Sequence, residues 1–221
     1  MRSLAANLSL RGRSVLLVGA GAVGLRKLAY LLDAGAQLSV VEPEPGESVR
    51  ELAREGKISL LPRFSPKLLE DSPVVFLALK GAAPAGLLEE AERRRLWVNV
   101  AGEPEKGNFT LPALQEDGPF RLAVSTGGAS PALASWAAGT LKGAFPGCGD
   151  FCRLLLRLRP LILSRVEEAP TRREILLRLS DSSELRELLA TGDLFRAAAL
   201  VKELAEPMEL PTDFSLDFLK E

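Results

Sequence analysis

The most constraining stretch of this chain is a short apolar run that ends in glycines and passes straight into a helical pattern. Ser14-Val15-Leu16-Leu17-Val18 is continuously apolar after its first residue, as a strand covered on both faces must be. Gly19-Ala20-Gly21-Ala22-Val23-Gly24 follows without a gap. From Val23 to Ala34 the apolar residues recur at helical spacing, with Val23, Leu28, Leu31 and Leu32 to one side and Gly35 as the stop. So abrupt a change of period demands a strand whose following helix packs back onto it. The alternation then repeats. Leu38–Val41, Ile58–Leu61, Val74–Ala78 and Leu96–Val100 read as strands, and Ser48–Glu55 and Leu87–Arg95 as helices. Strands separated by helices predict a parallel sheet with right-handed crossovers.

After Val100 the character changes. Ala101 to Asn108 reads as loop. Phe109-Thr110-Leu111 and Phe120–Val124 read as two further strands, with Asp117-Gly118 as a turn signal between them. Ser130-Pro131 opens a helix to about Leu141, with Ser at the cap and Pro at the first helical position. Phe145-Pro146-Gly147 breaks the chain. From Phe151 the period is helical throughout, interrupted near Glu168-Ala169-Pro170, Ser180-Asp181-Ser182 and Thr191-Gly192, which predicts four helices. Residues 205–221, with Pro207 and Pro211, read as a loosely held end.

The six-residue loop from Gly19 to Gly24 is G-x-G-x-x-G in the context that the motif requires, after a strand and opening a helix. Its first glycine allows a tight turn, its second lets backbone approach a pyrophosphate, and its third lets helix pack on strand. The helix N-terminus offers N–H groups and a positive dipole end to the phosphates. Glu42 closes the second strand, where a carboxylate accepts a ribose 2′-hydroxyl and repels a 2′-phosphate. The candidate cofactor-binding residues are Gly19, Gly21, Ala22, Val23, Gly24, Glu42 and Pro43, and the cofactor they favour is NAD rather than NADP.

Composition excludes several chemistries. Histidine is absent, so there is no Ser-His-Asp triad, no imidazole base and no histidine-ligated metal. Lys and Arg total 28 against 29 for Asp and Glu, a balance that leaves no electrostatic footprint for nucleic acid. Cys148 and Cys152 stand in a C-x3-C spacing, unlike redox or zinc C-x-x-C sites, and read as reduced packing residues of a cytoplasmic protein. Met1 to Arg11 has no apolar core for a signal peptide, and no apolar run approaches a membrane span of ~20 residues. No metal ligands are assigned.

Ser125-Thr126-Gly127-Gly128-Ala129-Ser130-Pro131 is a second anion-site candidate, since it combines hydroxyls, glycines and a helix start. An ordinary strand-to-helix loop in which the serine merely caps is the equal alternative.

Together these segments resemble a family. Leu8 to Lys27, with the Arg26-Lys27 pair directly after the glycine loop, is similar to the opening of the precorrin-2 dehydrogenases, which include the N-terminal module of siroheme synthase. Asn99-Val100, then Phe109–Ala113, then Ala123–Ala134 match the family's second half in order and spacing, and a helical tail follows. The resemblance implies NAD-dependent oxidation of precorrin-2 to sirohydrochlorin, a step towards siroheme, with Fe2+ insertion into the product in some members. It also implies a homodimer in which the segment after the dinucleotide domain is exchanged, with the cleft between the two domains. The fold class expected is α/β: a Rossmann-like parallel sheet at 1–112 as the NAD-binding domain, a small α+β dimerisation segment at 113–146, and a helical C-terminal domain at 147–221. The methyltransferase module fused in some members is not expected in a chain of this length.

The sequence departs from the family in three places. The aspartate usual after the fifth strand's Asn-Val is Gly102 here, with Glu103 one residue later as the candidate catalytic carboxylate. The end of the fourth strand is Ala78-Leu79-Lys80, and an arginine expected soon after Ala134 is Ser135. Precorrin-2 carries many carboxylates, so its candidate binding residues are Ser125, Thr126, Gly127, Gly128, Ser130, Lys80 and Arg121, with Arg26 and Lys106 as further cations near the sheet edge. No nucleic-acid or membrane partner is expected. The competing reading is an NAD- and tetrapyrrole-binding regulatory or carrier protein that does not complete catalysis, and Gly102 is the feature that favours it.

Overall fold

The computed structural model describes residues 4–210 and 214–220. The chain divides into two compact units, one ending at Leu111 and one beginning at Pro112.

The first unit is a five-stranded parallel sheet of β1 (Ser14–Val18), β2 (Gln37–Val41), β3 (Ile58–Leu61), β4 (Val74–Leu77) and β5 (Trp97–Val100), in spatial order β3-β2-β1-β4-β5. The register sets Leu17 beside Val40 and Phe76, and Phe76 beside Asn99. Successive side chains of β1 point to opposite faces, so its unbroken apolar run feeds two cores at once. Val15 and Leu17 join Leu28 and Leu31 of α1 (Ala22–Asp33) and Val49 of α2 (Glu47–Arg54). Leu16 and Val18 join Leu69 of a 3-10 turn (Pro66–Leu69) and Leu87 and Ala91 of α3 (Leu87–Arg93). The order of the strands reverses direction between β1 and β4, and the carboxyl ends of those strands are where an open α/β sheet leaves a crevice.

The edge of β5 is closed by the chain that follows it. Asn108 accepts from the Val98 N–H with Oδ1 (2.7 Å) and donates to the Leu96 carbonyl with Nδ2 (2.7 Å). The segment expected as a strand at Phe109–Leu111 is therefore not one. The Phe109 carbonyl accepts from the Asn99 amide (3.0 Å), and Pro112 has no N–H for a ladder.

The second unit opens with an antiparallel hairpin of β6 (Ala113–Asp117) and β7 (Phe120–Val124), with Asp117 opposite Phe120. The hairpin partner of Phe120–Val124 thus begins at Ala113, and the loop is Gly118-Pro119, one residue beyond the expected turn. After α4 (Pro131–Gly143) come α5 (Cys148–Arg165), α6 (Ala169–Asp181), α7 (Ser183–Thr191) and α8 (Leu194–Leu204). Phe151, Leu154, Leu158 and Ile162 form the inward stripe of α5 and meet Ile175, Leu179, Leu185, Leu188 and Val201 from the other three. Asp117 accepts from the Gly149 N–H at the start of α5 (2.9 Å), a carboxylate placed where the helix dipole favours it.

The expectation of a loose end fails for the described residues after Ala205. Met208 and Leu216 are buried in the helical core, and Phe214 and Phe218 pack on it, with the Phe218 ring under the Arg157 guanidinium at 5.0 Å. Prolines mark the path of this segment without freeing it; Pro211 lies outside the described residues. Cys148 and Cys152 carry free thiols one helical turn apart, and burial pushes both thiols up from their ordinary range. Among the described residues no helix is long and apolar enough to cross a membrane.

Candidate functional site

The three glycines of the first loop are each constrained differently by the space around them. Gly19 has φ +94°, and a Cβ on it would lie 2.5 Å from the Ala78 carbonyl oxygen at the end of β4. A Cβ on Gly24 would lie 2.1 Å from the Gly19 carbonyl oxygen, so this residue sets how closely α1 lies on the loop. Gly21 faces open space, with nothing within 4 Å of the position a Cβ would take. Two glycines are thus required by the protein's own packing, whereas the third leaves room for a ligand. Gly21 caps α1 in extended conformation and no side chain hydrogen-bonds there, so the first-turn N–H groups are not consumed by a cap. Ala22 and Val23 are exposed at that turn.

Glu42 follows β2 directly and is fastened to this loop. Its Oε2 accepts from the Ala20 N–H at 2.7 Å and its Oε1 from the Glu44 N–H at 3.2 Å, across the exposed Pro43. The carboxylate is held as an acceptor beside the glycine turn, with lone pairs left over for a hydroxyl. These groups are the candidate dinucleotide cradle: an open backbone, an uncapped helix start and an oriented acid.

A cavity of about 270 Å³ lies at the carboxyl ends of β4 and β5. Leu77, Leu79, Val100 and Ala101 give it apolar walls, and Glu103 and Lys106 lie on it. Those two side chains form an ion pair, which raises the Lys106 ammonium above its usual range through the hydrogen bond to Glu103. Gly102 has φ +86°, a left-handed backbone on which an aspartate is strained. The preceding loop carries Lys80, which is exposed; its neighbours Leu79 and Gly81 line the cavity. Arg26 is exposed on α1.

The second of the basic pair after the glycine loop turns the other way. Lys27 is three residues from Gly24 and four from Leu31, which puts it on the inward face of α1. Its Nζ donates to Asn99 Oδ1 at 2.7 Å and lies 5.3 Å from the centre of the Phe76 ring. Burial, and secondarily the nearby Arg26 charge, lowers its pKa from the ordinary lysine value. The helical phase alone announces this inward lysine, but Asn99 as its partner is a contact across 72 residues that no local pattern shows.

In the second unit the loop from Ser125 to Ser130 is internally bonded. Ser125 Oγ accepts from the Gly127 N–H (3.2 Å), Thr126 Oγ1 accepts from the Ser130 N–H (3.1 Å) and donates to the Ser130 carbonyl (3.0 Å), and Ser130 Oγ caps α4 through the Leu133 N–H (3.1 Å). Gly127 and Gly128 both have positive φ and open space around them. Arg121 pairs across the hairpin with Glu116 (2.8 Å).

Residues 6–113 match the family model described as "Putative NAD(P)-binding". Among curated proteins, siroheme synthase 3 of Aeromonas hydrophila is 34% identical over 198 residues, which cover 88% of this chain and 42% of that protein. Siroheme synthase of Chromobacterium violaceum is 35% identical over 169 residues, covering 75% of this chain and 36% of that one. The chain therefore spans less than half the length of these relatives. A solved structure titled "SirC, precorrin-2 dehydrogenase" shares the fold with a TM-score of 0.71 at 24% identity, over 86% of this chain and 98% of that one. Matches of 198 and 169 residues are longer than either unit, so the similarity to the siroheme synthases runs through both. The chain is thus similar, through both of its units, to part of the siroheme synthases, and it shares its fold with a solved precorrin-2 dehydrogenase.

Proposed function

We propose that this protein oxidises precorrin-2 to sirohydrochlorin with NAD, in the cytoplasm. The observation that carries the reading is the cradle at Gly19–Gly24 with Glu42 bonded to it, in a chain whose curated relatives are siroheme synthases. The residues present fit a dinucleotide. Gly21 leaves space for a pyrophosphate against the backbone, Ala22 and Val23 bring first-turn N–H groups, and Glu42 accepts a ribose hydroxyl while its charge opposes a 2′-phosphate. The chemistry supplied by NAD, when bound, is acceptance of a hydride from a ring carbon. The protein's share is to orient, to exclude water from the apolar walls of Leu77, Leu79 and Val100, and to take the proton that remains. Glu103 is the carboxylate beside those walls, where it is ion-paired with Lys106. For the substrate's carboxylates the candidate groups are Lys80 in the first unit and, within the second, Arg121 and the Ser125–Ser130 loop.

The protein acts as a homodimer through residues 113–146. The support is α4, where Leu133 is 50%, Trp136 68% and Leu141 40% exposed, which is costly in water unless a second copy covers them.

The test is to mix protein, NAD and precorrin-2 without oxygen and follow NADH. NADH formation above the spontaneous rate is expected. Tight NAD binding without NADH would favour the carrier reading, for which Gly102 is the specific observation. Glu103→Gln should lower turnover by about a hundredfold if this carboxylate takes the proton, and full turnover would remove it from that role. Adding Fe2+ to the same mixture and watching for siroheme reads metal insertion separately.

A further inference from the structure

Lysine is a poor choice for the interface between a helix and a sheet. Half-burying an ammonium carries a desolvation penalty, and a methionine of similar length fills the same space without one. Lys27 is nevertheless there, and among the described residues no carboxylate pairs with it. Its charge is met by one amide oxygen and one aromatic face. Asn99 is itself 6% exposed and engaged at both ends of its amide: Oδ1 accepts from Lys27, and Nδ2 donates to the Phe109 carbonyl. A lysine can only donate and a carbonyl can only accept, so the amide has one permitted orientation. Both bonds therefore have a fixed direction, which apolar packing does not provide.

We infer that Lys27 and Asn99 are a positioning pair that sets how α1, and with it the dinucleotide loop, is rotated and seated on the sheet. This rests on the dinucleotide reading above. Gly24 fixes how closely the first turn of α1 approaches the Gly19 carbonyl. Gly24 and Lys27 lie on one face, so the lysine fixes the next turn on the same side. Its anchor is β5, the strand that leads into the Gly102–Glu103 loop. The pair thus ties the element that holds the pyrophosphate to the strand that presents the cavity's carboxylate. Each acts through the placement of the first-turn N–H groups.

The test reads NAD affinity by calorimetry on the full chain, together with the melting temperature. Lys27→Met and Asn99→Leu should each weaken NAD binding by about tenfold, since hydrogen bonds to a misplaced helix start are lost. The double variant should be no weaker than the weaker single one, because the two residues act as a unit. Lys27→Met should leave the melting temperature level or raise it, and Lys27→Arg should restore affinity to within about threefold because the donor is kept. Losses that add in the double variant, or a lowered melting temperature with NAD affinity unchanged in the singles, would overturn the pair. If a variant does not fold, the cycle is repeated with Lys27→Gln and Asn99→Ser, under the same criteria. A wild-type chain that binds no NAD removes the dinucleotide reading and the pair with it. Wild-type binding matched by all variants removes the pair alone.

Discussion

Two loops of this molecule run from a strand into a helix through glycines, and they handle their own polar groups in opposite ways. In the loop at Gly19–Gly24, two glycines are forced by backbone contacts and the third faces open space, while the helix start carries no side-chain cap. In the loop at Ser125–Ser130, the glycines are needed for their left-handed backbone, and every hydroxyl accepts a backbone N–H of the loop or of the first turn of α4. The first loop leaves its donors available to an anion. The second spends backbone N–H groups on its own hydroxyls, and what it offers a carboxylate is the O–H donors of Ser125 and Ser130. What separates the two turns is therefore the helix start, uncapped in the first and capped by Ser130 in the second, since Gly127 and Gly128 face open space as Gly21 does.

The sharpest way to break that comparison is Gly24→Ala. Its Cβ would meet the Gly19 carbonyl at 2.1 Å, a backbone atom that cannot swing aside. The loop and α1 must separate, costing about 3 kcal/mol of stability, and NAD affinity should fall about a hundredfold as the N–H groups leave the pyrophosphate. Denaturant melts and calorimetry read the two losses, and an unchanged stability would mean that the close helix–loop approach is wrong.

Gly21→Ala sharpens the same contrast with a smaller effect. Its backbone is extended, at φ −67°, and its surroundings are open, so stability should change by less than about 1 kcal/mol. NAD affinity should still drop by about tenfold, because the methyl occupies the ground where a pyrophosphate approaches. A variant with normal affinity would show that the open space beside Gly21 is not the phosphate site. Gly128→Ala should reverse the pattern. At φ +89° the substitution costs about 1 kcal/mol, with NAD affinity unmoved, and calorimetry on the folded variant checks it.

Much of the first loop is legible in the sequence because its constraints are local. Periodicity places Val15 and Leu17 on one face of β1 and Leu16 and Val18 on the other, and the glycine spacing names the turn. What periodicity cannot show is who answers whom across the chain. Phe109–Leu111 has the composition of a strand, yet its carbonyl is claimed by Asn99 and its neighbour Asn108 closes the β5 edge. Glu42 is foreseeable as an acid at the end of β2, but its bond to the Ala20 N–H, which orients it, is not. Met208 and Leu216 lie among prolines that suggest a free end, and only the helical core they enter explains their burial.

The smallest expected effect concerns acid. Glu90 on α3 accepts from Arg93 through Nε at 2.8 Å and also from Arg94, and these hydrogen bonds, Arg93's first, hold its carboxyl down at about 2 against an ordinary 4.5. A carboxylate whose pKa is depressed on folding contributes stability that is complete above the unfolded value and is lost as pH falls through the folded one. The contribution should therefore fade between about pH 4.5 and 2. Glu90→Gln, which cannot ionise, should flatten the pH dependence of the melting temperature in that window and change little above it. The Ser125–Ser130 loop is held by hydroxyls and backbone, none of which titrates there, so Ser130→Ala should lower the melting temperature by the same amount on both sides of the window. Parallel curves for wild type and Glu90→Gln would show that the arginine bonds contribute nothing. A pH-dependent effect of Ser130→Ala would show that the second loop is not the self-contained unit its hydrogen bonds describe.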